Sequence, residues 1–107
     1  MTGVHLIATL RPAPGKAAEL RQILCETARN VEQVEPSCLT FLVTECHRPD
    51  GAVEFKVVER WASQEALEQH QQRAWLRTMY ATFDEKHLLE RPEEIEMLAL
   101  ISGFAAR

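Results

Sequence analysis

The sequence predicts an α+β fold in which helices cover one face of a single antiparallel sheet. Four segments place apolar residues at every second position, as half-buried strands do. Two longer segments repeat apolar residues every three or four positions, as amphipathic helices do. Along the chain these segments follow the order β-α-β-β-α-β.

The first strand and the first helix occupy the N-terminal third of the chain. Apolar side chains fall on every second position of residues 4–10, and the Pro-Ala-Pro-Gly stretch at 12–15 ends the strand. An apolar stripe with helical spacing then covers residues 17–34. Pro36 follows this stripe and predicts the end of the helix.

Two further strands form a predicted hairpin in the middle of the chain. Residues 38–46 are rich in aromatic and β-branched types, and residues 53–61 have the period of a strand. The Arg-Pro-Asp-Gly sequence at 48–51 lies between them. Its proline fixes φ and its glycine tolerates a positive φ, so we expect a tight turn and antiparallel pairing.

The C-terminal half contains the second helix and the last strand. Ser63 is suited to cap the helix, whose two apolar stripes are out of phase by about half a turn, so we expect a bend or break within residues 71–73. Residues 95–101 alternate as a fourth strand. The order of elements is that of the ferredoxin-like fold, and residues 1–107 are expected to form one such domain.

The face of the sheet away from the helices is expected to be apolar. Ile7, Thr9, Leu98 and Leu100 fall on this face if the strands are regular. Monomeric proteins rarely expose a large apolar patch, and a second copy packing sheet to sheet would cover it with two-fold symmetry. We therefore predict a homodimer.

Charge and hydropathy exclude two classes of partner. The net charge is −4, and acidic and basic residues are interspersed rather than forming the basic stripe that nucleic-acid binding requires. No apolar run reaches the ~20 residues needed to cross a bilayer. The N-terminus lacks a basic segment followed by an apolar one, which a signal peptide would show. We expect a cytoplasmic protein that binds neither nucleic acid nor membranes.

The cysteines and histidines do not predict a metal or redox site. Cys25, Cys38 and Cys46 form an odd set without C-x-x-C spacing, and we expect three buried thiols, with a reactive thiol as the alternative. Cys38 and Cys46 would share one face of their strand. The four histidines lack the spacing of metal ligands, so we expect no bound metal.

A cluster of aromatic residues and a methionine is the candidate binding site. Strands supply two of its members and the second helix supplies three, and they would meet between the sheet and the helices. They are Phe41, Trp61, Met79, Tyr80 and Phe83. Such a cluster can line a pocket for a flat apolar molecule, and the alternative is an ordinary core.

Two polar groups near this cluster are candidate catalytic residues. His70 lies on the apolar stripe of the second helix and titrates near neutral pH, so it is a candidate general acid or base. Tyr80 can hold or protonate an oxygen of a bound substrate. The alternatives are a histidine satisfied by a backbone carbonyl and a core tyrosine whose hydroxyl reaches water.

Several motifs resemble those of the antibiotic biosynthesis monooxygenase domain family, which includes quinol monooxygenase-like members. The matching features are Pro14-Gly15-Lys16, Glu35-Pro36-Ser37-Cys38-Leu39, Glu59-Arg60-Trp61, Ser63, Ala66-Leu67 and His70. The likeness covers nearly the whole chain. It implies a ferredoxin-like fold, a dimeric α/β barrel built from two sheets, and a cavity in each subunit between sheet and helices.

The resemblance also implies a reaction. Active members oxidise polyphenols or anthrones with molecular oxygen and no metal or flavin, because a deprotonated phenol can itself pass an electron to oxygen. This chain differs from some relatives at two positions. Haem-degrading relatives have a histidine near the position that Tyr80 occupies here, and several active oxygenases have an asparagine where this chain has Ala8. We expect a cofactor-independent monooxygenase of a quinol-like aromatic. The alternatives are an isomerase of a small carbonyl metabolite and a non-enzymatic, small-molecule-binding stress protein.

Overall fold

The computed structural model describes residues 3–107 and contains four strands and three helices. The elements are β1 (Val4–Leu10), α1 (Ala17–Val34), β2 (Cys38–His47), β3 (Val53–Trp61), α2 (Gln64–Gln72), α3 (Ala74–Glu85) and β4 (Glu94–Leu98). The strands form one antiparallel sheet in the order β2-β3-β1-β4. This arrangement confirms the ferredoxin-like α+β fold.

The turn between β2 and β3 forms as its sequence predicts. Gly51 adopts a φ of 87°, and its N–H donates to the carbonyl of Arg48 at 3.0 Å. The Asp50 carboxylate accepts a hydrogen bond from the N–H of Ala52 at 2.9 Å. The turn therefore fixes the register of the hairpin, in which Val43 lies opposite Val57.

The predicted break in the second helix occurs at Arg73. Ser63 caps α2 by accepting a hydrogen bond from the N–H of Ala66 at 3.1 Å. Arg73 is extended, with φ −61° and ψ 133°, and α3 begins at the next residue. The break reorients the chain, so that the stripes containing Leu67 and Leu76 both face the sheet.

The core lies between the helices and one face of the sheet. Alternate residues of β1 and β3 project into it, and α1 and α3 cover them with their apolar stripes. Its most completely buried large side chains are Trp61, Phe55, Leu10, Leu20, Leu88 and Val31. Each contributes about 2 kcal/mol relative to an exposed position, which makes this layer the main source of stability.

The opposite face of the sheet has a narrower apolar band than the sequence predicts. Leu42, Val58 and Ile7 form one row across β2, β3 and β1. The neighbouring rows contain Lys56 and Arg60, because charged residues alternate with the apolar core positions of β3. The face is therefore mixed in character, with apolar residues along its middle.

The last strand ends earlier than its sequence pattern predicts. Within residues 3–107, β4 pairs only with β1, and the pairing runs from Thr9 opposite Glu94 to His5 opposite Leu98. β1 begins at Val4, so among the described residues a β4 that continued to Leu100 would have no strand residue opposite its end. The prediction that Leu100 lies on the open sheet face is wrong for this reason, whereas Leu98 does lie there beside His5.

The expected positions of the cysteines also need correction. A bulge between Cys38 and Thr40 shifts the register of β2, so that Cys38 lies opposite Trp61 and Cys46 lies opposite Glu54. These partners are on different faces of β3, so the two thiols do not share a face. Cys25 is exposed rather than buried, and Cys38 and Cys46 are partly buried.

Among the described residues, 3–107, no helix is both long enough and apolar enough to span a bilayer.

Candidate functional site

A first group of candidate residues surrounds His70, where the end of α2 meets β2 and β3. The imidazole lies 4.5 Å from the Trp61 ring, 6.2 Å from the Phe41 ring and 5.9 Å from the Trp75 ring, measured between centroids. His70 and Trp61 are both buried. The sequence prediction that Phe41, Trp61 and His70 come together is consistent with these distances.

A carboxylate from the end of α1 holds His70 in place. Glu35 Oε2 lies 2.6 Å from His70 Nδ1, and Arg73 Nε donates to Glu35 Oε1 at 3.2 Å. Burial lowers the pKa of His70, and the Glu35 carboxylate opposes this effect without overcoming it. A neutral imidazole donates through Nδ1 to Glu35, so Nε2 is its proton-free nitrogen.

A second carboxylate, Glu59, lies on the core face of β3 and was not among the residues expected from the sequence. It occupies an otherwise apolar series that runs from Val53 to Trp61, and it lies opposite Leu6 and Phe41. The Trp61 indole N–H donates to Glu59 Oε1 at 2.9 Å. A glutamate in the buried phase of a strand is the signal that could have identified it.

Burial raises the pKa of Glu59 to about 7. The negative charges of Glu93 and Glu35 raise it further, and the hydrogen bond from Trp61 acts in the opposite direction. Glu59 is 9% exposed. The carboxyl group therefore exchanges a proton in the neutral pH range, where an ordinary glutamate is fully ionised.

A third acidic group lies beside Tyr80 of α3. The phenol donates to Glu93 Oε1 at 2.7 Å, and the Tyr80 and Phe83 rings meet edge to face with centroids 5.7 Å apart. Burial raises the pKa of Tyr80, and the charges of Glu93 and Glu59 add to this effect. The phenol is therefore protonated throughout the neutral range and can donate a hydrogen bond.

The core side of β4 is not covered by α3, and this leaves an open cleft. Ile95 and Met97 share a face with the buried residues Ala8 and Leu6, yet they are 49% and 56% exposed. Tyr80 of α3, itself 39% exposed, is joined to the segment before β4 by its hydrogen bond to Glu93. We refer to the region bounded by Tyr80, Glu93, Ile95 and Met97 as the α3–β4 cleft, and Glu59 lies in the same sheet row as Met97 with Leu6 of β1 between them.

The cleft continues into a groove of about 630 Å³ at the end of α3. Tyr80, Phe83 and Glu93 line this groove together with the segment between α3 and β4. Its volume suits a small organic molecule. Tyr80 and Glu93 therefore belong to both the cleft and the groove.

The structure divides the residues expected from the sequence into two groups rather than placing them in one cavity. Phe41, Trp61 and His70 form the first group, and Tyr80 and Phe83 form the second. Met79 points towards α1, where its sulfur accepts a hydrogen bond from Thr27 at 3.0 Å. Trp61 links the groups, because it stacks on His70 and donates to Glu59.

The fold and the cleft define a small ferredoxin-like protein with a ligand-sized opening beside its last strand. The chain matches the antibiotic biosynthesis monooxygenase family over residues 3–82. It belongs to this family.

Solved structures of similar proteins share this fold over almost their whole length. The Mycobacterium tuberculosis protein Rv0793 is 26% identical, with a TM-score of 0.81 over 97% of this chain and 100% of that one. A Caulobacter crescentus protein named for antibiotic biosynthesis monooxygenase is 28% identical, with a TM-score of 0.82 over 94% and 92%. The PA3566 protein of Pseudomonas aeruginosa is 28% identical, with a TM-score of 0.75 over 95% and 97%. No curated protein matches the chain.

Proposed function

We propose that the protein binds a small quinol-like aromatic molecule in the α3–β4 cleft and oxidises it with molecular oxygen, without a metal or an organic cofactor. Membership of the monooxygenase family and the name of the similar Caulobacter protein support the reaction class. The observation that carries the proposal is the cleft itself. It combines a half-exposed apolar wall, an accessible phenol and ionisable groups in one place.

The proposed reaction balances without a further reductant. A hydroquinone and one O2 give a hydroxyquinone and one water, so a ring C–H bond is replaced by a C–O bond and the second oxygen atom leaves as water. The substrate supplies all four electrons. Loss of the phenolic proton starts the sequence, because a phenolate donates an electron to oxygen more readily than a phenol. The protein has to bind the substrate, accept this proton and exclude bulk water.

The candidate residues have different parts in this proposal. Tyr80 is accessible and protonated, and its proposed role is to donate its O–H to a substrate oxygen that replaces Glu93 as the acceptor. Trp61, Met79 and Phe83 belong to the buried core and Phe41 packs against it, so their proposed contribution is apolar support for the bound molecule. His70 lies behind Trp61, and its proposed contribution is to fix the indole that reaches Glu59.

A second copy of the chain is the proposed partner. The row formed by Leu42, Val58 and Ile7 gives the uncovered sheet face an apolar centre, and a two-fold related sheet would bury it. Size-exclusion chromatography with light scattering is expected to give twice the monomer mass. A stable monomer at micromolar concentration would contradict the homodimer.

Oxygen consumption by metal-free protein tests the reaction. We expect uptake above the enzyme-free blank with at least one member of a panel of hydroquinones and anthrones. Met97→Lys places a charge on the apolar wall and is expected to raise KM about tenfold, whereas Ile101→Lys, a change at a 94% exposed residue beyond β4, leaves KM unchanged. The absence of uptake across the panel would overturn the proposal, and turnover under argon would favour the isomerase alternative.

A further inference from the structure

Three glutamates are buried in this protein, and only one of them lacks a cationic partner among residues 3–107. Glu35 is paired with Arg73 and His70, and Glu54 is paired with Arg11 at 2.5 Å and Arg48 at 3.4 Å. Glu59 receives one hydrogen bond, from a neutral indole. A buried carboxylate without a cation is costly, so its retention points to a use beyond folding.

The two oxygens of Glu59 have different surroundings. Oε1 accepts the Trp61 N–H at 2.9 Å. Oε2 accepts no hydrogen bond within the part of the chain that the structure describes, and it is not fully enclosed. Glu59, Leu6 and Met97 form one row across β3, β1 and β4 on the core face of the sheet, and the charge on Glu59 raises the pKa of Tyr80, so the carboxyl lies on the face of the sheet that borders the α3–β4 cleft.

We propose that Glu59 is the group that accepts the phenolic proton of a substrate bound in the α3–β4 cleft. This inference rests on the proposed function and names the residue that begins its reaction. The substrate O–H bond breaks, the proton moves to Glu59 Oε2, and the electron pair of that bond stays on the substrate oxygen beside Tyr80. Trp61 is the positioning residue, because its indole holds Oε1 and turns Oε2 towards the cleft.

The ionisable groups around Glu59 support this role from each neighbouring element. Burial disfavours the negative charge most strongly, and Glu93 before β4 and Glu35 after α1 add to it, so the pKa of about 7 suits a base at neutral pH. Burial raises the pKa of Cys38 in β2 to about 12, and the negative charge of Glu59 contributes to this increase. Tyr80 of α3 faces the same cleft as a protonated donor. His70 of α2 is separated from Glu59 by the Trp61 indole.

The decisive comparison is between the wild-type protein and Glu59→Gln, with Glu68→Gln on the exposed side of α2 as the matched control. We expect wild-type kcat/KM for oxygen uptake to rise with pH through a midpoint near 7. Glu59→Gln is expected to lose at least 100-fold in kcat/KM together with this dependence, and Glu68→Gln is expected to lose neither. If Glu59→Gln keeps both the rate and the profile, the inference is wrong and the proposed function still stands.

A binding measurement separates this inference from the proposed function. The ligand 4-nitrocatechol absorbs at longer wavelength as a phenolate, so its spectrum shows whether the bound molecule has lost its proton. We expect the ligand bound to wild-type protein to be more ionised than the free ligand at a pH near 7, where Glu59 can accept the proton, and we expect no such increase on binding to Glu59→Gln. Equal ionisation by the two proteins would overturn the inference. This result does not depend on oxygen uptake, whose absence would overturn only the proposed function.

A shorter carboxylate provides the same test if Glu59→Gln does not fold. Glu59→Asp keeps the acid and withdraws it from the cleft by one methylene group, so we expect a smaller loss of kcat/KM and a retained pH midpoint. An unchanged rate in Glu59→Asp would contradict the direct contact that the inference requires.

Discussion

Glu35 and Glu59 are both buried beneath the helices, yet their surroundings differ in one respect. Glu35 lies between His70 and the Arg73 guanidinium, so each of its oxygens has a partner and it joins the end of α1 to the end of α2. Glu59 has a neutral indole on one oxygen and, among residues 3–107, no hydrogen-bond partner on the other. The first carboxylate is part of the framework, and the second is free to exchange a proton. Burial alone therefore does not distinguish a structural acid from a reactive one.

Removing Glu35 is expected to have the largest effect on stability. Glu35→Ala leaves His70 without its acceptor and Arg73 without its counter-charge, and breaking a buried pair of this kind costs about 3–5 kcal/mol. Urea unfolding at neutral pH measures this loss. Glu32→Ala, on the exposed side of α1, is expected to change stability by less than about 0.5 kcal/mol. If both variants change stability equally, Glu35 has no framework role.

The stability of Glu59→Gln relative to wild type is expected to depend on pH. The folded-state pKa of about 7 lies above the ordinary value of 4.5, so the folded protein binds more protons between these two values. The contribution of Glu59 to wild-type stability is therefore largest below pH 4.5 and is lost as the pH rises from 4.5 to 7. Glu59→Gln does not lose this contribution. Its free energy of unfolding relative to wild type is therefore on the order of 3 kcal/mol higher at pH 8 than below pH 4.5. Urea unfolding of both proteins across this pH range measures the effect. A difference in stability between them that stays constant with pH would show that Glu59 has an ordinary pKa.

Trp61→Phe is expected to act on both carboxylate regions at once. The smaller ring leaves a void beside His70 and removes the N–H donor to Glu59, for a combined cost of about 2 kcal/mol. Because the indole hydrogen bond lowers the pKa of Glu59, its loss moves the pH midpoint of kcat/KM upwards. A midpoint that stays in place would show that the indole does not control Glu59.

Tyr80→Phe is expected to have the smallest effect on stability. The variant loses one hydrogen bond to Glu93 at a partly exposed site, which corresponds to about 1 kcal/mol or less. Activity should fall about tenfold, because the donor to the substrate oxygen is lost. Thermal unfolding and oxygen uptake measure the two effects. A loss of stability well above 2 kcal/mol would indicate that the hydroxyl is a structural anchor instead.

Local sequence patterns predicted most of the fold. The change of helical phase after His70 predicted the break at Arg73, since an apolar stripe can face the sheet only if the helix turns. The end of β4 was not predictable from alternation, because it depends on where β1 begins. The bulge after Cys38 could not be predicted from the sequence either. One extra residue moves the side chains that follow it to the opposite face of the sheet, and the composition of the strand gives no sign of it.

The candidate site was less predictable than the fold. The contact between Glu35 and His70 joins residues 35 positions apart, so it depends on how α1 and α2 end in space. Glu59 did carry a local signal, as the acidic member of the inward series of β3. The division between the His70 group and the α3–β4 cleft depends on α3 leaving β4 uncovered, and no residue spacing encodes that.

The most direct test of this account is the titration of Glu59 by carbon-13 NMR of the glutamate side-chain carboxyl groups. The resonance that disappears in Glu59→Gln identifies the residue without any assumption about the reaction. We predict a midpoint near pH 7 for this resonance, because burial and the neighbouring acids disfavour the charged form. A midpoint near the ordinary value of 4.5 would contradict the central claim that the α3–β4 cleft holds a base poised for neutral pH.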